Sequence, residues 1–133
     1  MLHVHLAVWL DHNEAKIFHV TSQSFEEAIV ASPKAHTQLH RKLGSDDGHR
    51  APEDDRYYEE IARALGEATE ILVLGPATAK LELIKYLHHK DPKIAERVVG
   101  VETVDHPTDR QLVAYIRTYF KAVDRMKGHR VAP

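Results

Sequence analysis

The segment EILVLGP, residues 70–76, constrains the fold more than any other stretch of the chain. A short, nearly continuous apolar run has no polar face to offer water, so it reads as a central strand covered on both sides. Covering both faces of a sheet requires helices on each, which makes the chain α/β. Gly75 and Pro76 end the run, and Pro76 suits the first turn of a helix carrying Leu81, Ile84 and Leu87, ending near HHKDP.

The segments on either side extend this reading. In residues 2–10, Leu2, Val4, Leu6, Val8 and Leu10 alternate with His3, His5, Ala7 and Trp9. That period of two predicts a strand with one strongly apolar face, and it puts His3 and His5 on an outer one. DHNE (11–14) has the composition of a turn, AKIFHVT (15–21) resumes as a strand and EEAIVAS (26–32) as a third. A helix is predicted from Pro52, with Tyr57, Ile61, Ala64 and Leu65 as its stripe and Gly66 as its stop. RVVGVETVD gives a further strand. In PTDRQLVAYIRTYFKAVDRM, Thr108 caps a helix with Leu112, Val113, Ile116, Phe120 and Val123 on one face and Arg110, Arg117 and Lys121 opposite. The expected order is β-β-β-α-β-α-β-α in a mixed sheet.

At 133 residues the chain is expected to be one domain, spanning 1–127 with a flexible tail at 128–133. The long loop at 33–52, glycine- and proline-bearing with little apolar periodicity, is the main irregularity, and loops of that length inside a domain are commonly functional. It carries Lys34, His36, His40, Arg41, Lys42 and Arg50. Without cysteine, disulfides, thiol catalysis and cysteine-bound zinc are excluded, and a reducing cytoplasm fits. The opening MLHVHLAVWLDH lacks a basic leader, and its apolar run is broken by His3 and His5, so it reads as neither a signal peptide nor a membrane span. The net charge of −2 gives no overall attraction to nucleic acid. Locally, however, Arg110, Arg117, Lys121, Arg125, Lys127 and Arg130 face Asp124 alone, which permits a basic patch.

GPATAK (75–80) lacks the second glycine of a phosphate-binding loop, and its proline removes a donor such a loop would use. It reads as a strand-to-helix turn. His36 and His40 lie four apart but without the glutamate of a zinc protease, and His49 could only join them through the loop, so no metal or other cofactor is expected there. His88 and His89 suit the C-terminal end of a helix. Asp11 ends the first strand, where two-metal nucleases of the RNase H type place an acid, and Glu102 or Asp105 could join it. Asp is also common in turns, so both readings stay open. Serine and cysteine hydrolase arrangements have no support.

Gly75, Pro76 and Lys80, preceded by Arg56-Tyr57-Tyr58 at a helix start and by Lys34 in a loop, resemble a known pattern. It is that of the middle domain of archaeal and eukaryotic class I release factors and of Pelota. The similarity extends to small bacterial proteins described as translational machinery components, and it covers roughly residues 26–120. The resemblance implies an RNase H-like mixed α/β fold and contact with the ribosome through the long loop. Release factors carry Gly-Gly-Gln there; Gln38 has no such neighbours, and Ala77 stands where a glycine often follows Gly-Pro. Pelota, which also lacks that motif, is the nearer comparison, and the length of the chain leaves room for the middle domain alone. The expectation is a non-enzymatic cytoplasmic protein that binds the ribosome or structured rRNA or tRNA through Lys34, His36, His40, Arg41, Lys42, Arg50, Arg117 and Lys121. A metal-dependent nuclease or a protein-interaction domain, including a homo-oligomer, is the alternative. No membrane partner is expected.

Overall fold

A computed structural model of the chain describes residues 4–33 and 52–126, with the backbone alone at 52–54. The strands are β1 (His5–Leu10), β2 (Glu14–Val20), β3 (Phe25–Ala31), β4 (Glu70–Gly75) and β5 (Val98–Thr103). The helices are α1 (Pro52–Ala64), α2 (Ala79–Lys90), α3 (Pro92–Ala95) and α4 (Asp109–Met126). The strands form one five-stranded sheet in the order β3-β2-β1-β4-β5. The first three run antiparallel as a meander, and β4 lies parallel to both β1 and β5. This is the mixed RNase H-like α/β arrangement expected from the sequence.

The antiparallel start follows from Asp11, whose Oδ1 accepts the backbone N–H groups of Asn13 at 2.8 Å and Glu14 at 2.9 Å. An aspartate that takes its own downstream amides reverses the chain without a glycine. Crossovers between parallel strands require a helix, and α2 with α3 supplies the one from β4 to β5. On one face Leu6, Val8, Leu10, Ile71 and Val73 pack with α1, α2 and α3. On the other, Ala7, Trp9, Phe18, Leu72 and Leu74 pack with Leu112, Val113, Ile116 and Phe120 of α4. Burying a large side chain of this kind contributes about 1.5–3 kcal/mol, so each face is a core in its own right.

Four local expectations are corrected. β1 has no outer face: Ala7 and Trp9 are buried under α4, whose apolar stripe needs an apolar partner, and His5 is half-covered with them. In α1 the buried side chains are Tyr57, Tyr58, Ile61, Ala62 and Leu65, while Ala64 faces water. α2 begins at Ala79 rather than Pro76, because Val104 donates its N–H to the Gly75 carbonyl at 3.0 Å and holds that residue in the strand ladder. Its buried set is consequently Ala79, Lys80, Leu83, Tyr86 and Leu87, with Leu81 turned out at 53% exposure. After His88 and His89 the chain forms one further turn, α3, in which Ile94 and Ala95 donate to the Asp91 carbonyl. α4 follows its sequence reading: Thr108 and Gln111 exchange backbone-to-side-chain hydrogen bonds at 2.9 and 3.1 Å, a reciprocal cap. Among the described residues no helix is long and apolar enough to cross a membrane.

Candidate functional site

The C-terminal ends of β1, β4 and β5 share an edge of the sheet with the β1–β2 turn and the end of β3. Open α/β sheets bind ligands at the carboxyl ends of their parallel strands. Four features of the sequence meet at this edge. These are Asp11, the turn from Gly75 to Lys80, the pair Asp105-His106, and the two ends of the segment that includes the long loop.

Gly75 is needed there for a steric reason. A β-carbon on it would come 2.3 Å from the carbonyl oxygen of Leu10, so β1 and β4 could not keep their register with any other residue. Lys80 is buried, and its ammonium donates to the carbonyl of Ala77, closing the turn from inside. This turn is thus a piece of architecture whose lysine is spent on backbone.

Asp11 uses one carboxylate oxygen for the β1–β2 turn; the other lies 3.6 Å from His106 Nε2. His106 Nδ1 is 2.9 Å from Asp105 Oδ1, and its ring stands edge-on to Trp9 with centroids 5.1 Å apart. Trp9 Nε1 donates to the Asp105 carbonyl at 2.8 Å, fixing the backbone that carries the pair. The hydrogen bond with Asp105, and then the one with Asp11, raises the His106 pKa above its ordinary value. Glu102 does not join them; it lies near Tyr115 and Tyr119, whose hydroxyls it helps hold un-ionised after burial. The structure therefore brings Asp11 and Asp105 together across a histidine, and leaves Glu102 out.

The start of α1 is tied to the same edge. Tyr57 donates its hydroxyl to the Asp11 carbonyl at 2.8 Å, and Tyr58 donates to Glu82 Oε1 at 2.9 Å. His12 Nε2 is 3.5 Å from the other oxygen of Glu82. Arg56, between the loop and these tyrosines, is exposed. At the far side of the loop, Ser32 N–H donates to the Asn13 carbonyl at 2.8 Å. The chain thus leaves this edge at Pro33 and re-enters it at Pro52. Lys34, His36, His40, Arg41, Lys42 and Arg50 lie outside the described residues.

Arg117 and Lys121 belong to the opposite edge. Arg117 donates through Nε to the Thr21 carbonyl at 2.8 Å and through Nη2 to that of Ser24 at 3.2 Å, clamping the β2–β3 turn. Lys121, one turn further along α4, is exposed. His5, Glu70 and Asp124 also gather at this edge, a cluster that periodicity alone did not reveal. Its signal was a charged residue heading an apolar strand, which the pairing of β1 with β4 brings beside His5.

No protein-family model matches the chain, and no curated protein matches it. Solved structures do. The Pelota protein of Thermoplasma acidophilum aligns at a TM-score of 0.62 and 22% identity, over 87% of this chain and 32% of that one. The archaeal translation termination factor aRF1 aligns at 0.54 and 15% identity, over 94% and 39%. S. cerevisiae Dom34, a translation termination-like factor involved in RNA quality control and interacting with Hbs1, aligns at 0.50 and 15%, again over 94% and 39%. The chain spans between about a third and two fifths of the length of these proteins. It therefore has the Pelota and release-factor middle-domain fold that Gly75, Pro76 and Lys80 suggested.

Proposed function

We propose that the chain is a non-enzymatic translation factor domain that binds the ribosome, or structured rRNA or tRNA, through the segment between Pro33 and Pro52. The observation that carries this reading is the rooting of both ends of that segment at the strand-end edge, in a fold similar to Pelota and aRF1. Lys34, Arg41, Lys42 and Arg50 supply phosphate-directed charge on a chain whose net charge is −2. His36 and His40 strengthen that charge as pH falls. Lys121 offers a separate basic contact at the other edge, where Arg117 already serves the β2–β3 turn and adds only its outward charge. The absence of Gly-Gly before Gln38 argues against a peptide-releasing role. A cytoplasmic location goes with the reading.

The test is co-sedimentation of the untagged protein with purified ribosomes across a salt series. Saturable binding that weakens as salt rises is expected. Changing Lys34, Arg41 and Lys42 together to alanine should weaken it roughly tenfold or more and flatten the salt dependence by about one unit of slope per lost phosphate contact. No binding at low salt overturns the reading, and an unchanged slope removes these residues from the interface.

A further inference from the structure

At the edge opposite the loop, three ionisable side chains from three different elements converge. His5 opens β1, Glu70 opens β4 as its register partner, and Asp124 comes from the last turn of α4. His5 Nε2 lies 2.8 Å from Glu70 Oε1 and 3.3 Å from Asp124 Oδ1, and one ligand atom from each residue falls within 4.8 Å of the others. The side chains are 18%, 5% and 17% exposed, so the cluster is sheltered without being sealed. From this geometry we infer that His5, Glu70 and Asp124 form a zinc site.

The ligand spacing fits the metal. Zinc holds nitrogen and oxygen ligands at about 2.0–2.1 Å in a tetrahedron, which places neighbouring ligand atoms about 3.3 Å apart. The His5–Asp124 separation of 3.3 Å matches that value, and the His5–Glu70 separation of 2.8 Å is shorter than it. The donor set fits as well. One imidazole with two carboxylates is a nitrogen–oxygen set suited to zinc, whereas calcium and magnesium take oxygen ligands throughout. Partial exposure leaves a path for the ion to enter and a place for water as fourth ligand.

Charge makes the same case. A histidine carries at most one hydrogen on Nε2, and here two carboxylate oxygens crowd that nitrogen. A divalent cation bound at Nε2 would instead meet both carboxylates at once. Asp124 also stands at the negative end of the α4 dipole, where an anion is unfavourable by itself and a cation is favoured.

The ligands are held in place before any ion arrives. His5 and Glu70 are fixed by the β1–β4 ladder, and the His5 ring packs on Phe120 with centroids 4.5 Å apart at 31°. Phe120 and Asp124 lie one helical turn apart on α4, so the residue that orients the ring and the residue that completes the site share a helix face. Zinc would join the first strand, the central strand and the last helix at a single point.

Titration of zinc chloride into the untagged, chelator-stripped full chain tests the site, followed by calorimetry and by NMR of the His5 imidazole. The other histidines make a bare stoichiometry uninformative, so the His5 ring signals are the decisive readout. They should shift with the first equivalent of zinc. Asp124→Asn, nearly isosteric and on a partly exposed helix position, should weaken that event at least about tenfold, and Glu70→Gln should do the same. If the His5 signals ignore zinc in the wild-type protein, the cluster is an ion pair only; if Asp124→Asn binds zinc at His5 with unchanged affinity, Asp124 is not a ligand and the three-residue site is overturned. The wild-type NMR reading decides the matter even if a variant folds poorly, and it does not depend on ribosome binding.

Discussion

The two edges of the sheet handle charge in opposite ways. At the loop edge, charged side chains mainly serve the backbone. Asp11 takes two amides of its own turn, Lys80 takes the Ala77 carbonyl, and the residual charge of Asp11 and Asp105 meets an exposed histidine. At the other edge, ionisable side chains meet one another in a sheltered place, in His5, Glu70 and Asp124. A charged group bonded to backbone fixes a turn whatever the solution contains, because neither partner changes state near neutral pH. A sheltered trio of ionisable side chains depends instead on side-chain contacts between separate elements. The loop edge is thus a rigid mount built on backbone, and the opposite edge is joined by side chains alone.

The largest expected effect tests the rigidity of the mount. Gly75→Ala forces a β-carbon against the Leu10 carbonyl, a backbone atom that cannot swing aside. The cost should be about 3 kcal/mol, read as a fall in the urea midpoint, since overpacking against main chain separates the strands. A midpoint within error of wild type would mean that β1 and β4 can move apart, and the loop edge would no longer be the rigid one.

His5→Ala addresses the other edge. Removing His5 takes away the side chain that both Glu70 and Asp124 contact, and the expected loss is about 2–3 kcal/mol. That is below the range for fully buried pairs because His5 and Asp124 are partly solvated. Glu70→Gln in the same chain should recover part of the loss, which simple loss of packing against Phe120 would not allow. The matched change at the loop edge, His106→Ala, should leave the urea midpoint where it was. Equal losses at the two edges would erase the distinction between them.

What the sequence disclosed, and what it did not, divides along physical lines. Features set by a residue and its near neighbours were legible: the β1–β2 turn at Asp11, the central strand at 70–75, the cap at Thr108 and the apolar stripe of α4. Features set by distant pairing were not. Nothing local to His5 announces that β1 is parallel to β4 in the register that brings Glu70 beside it. Nothing local to Leu81 announces that Val104 holds Gly75 in the ladder and delays α2, which rotates the buried face to Leu83 and Leu87. The candidate interface shows the same division. Composition singled out the loop, whereas the convergence of its ends with Asp11 and Tyr57 required the sheet to be assembled.

The smallest effect gives the sharpest contrast, because it can be followed at a single group. His106 should titrate above its ordinary value of about 6.5, chiefly through Asp105 at 2.9 Å and secondarily through Asp11 at 3.6 Å. A pKa raised on folding means that the folded state holds the proton more tightly. The stabilisation is therefore complete below about pH 6.5 and is lost as pH rises through the folded value. Asp105 is 92% exposed, so its hold on His106 should shrink as salt screens it, and Asp105→Asn should return most of the shift. An NMR titration of His106 at low and high salt, in wild type and in Asp105→Asn, makes the test directly. If His106 keeps its raised value in high salt and in Asp105→Asn, its environment is fixed by something other than exposed charge, and the loop edge would then hold a coupled ionic site as well.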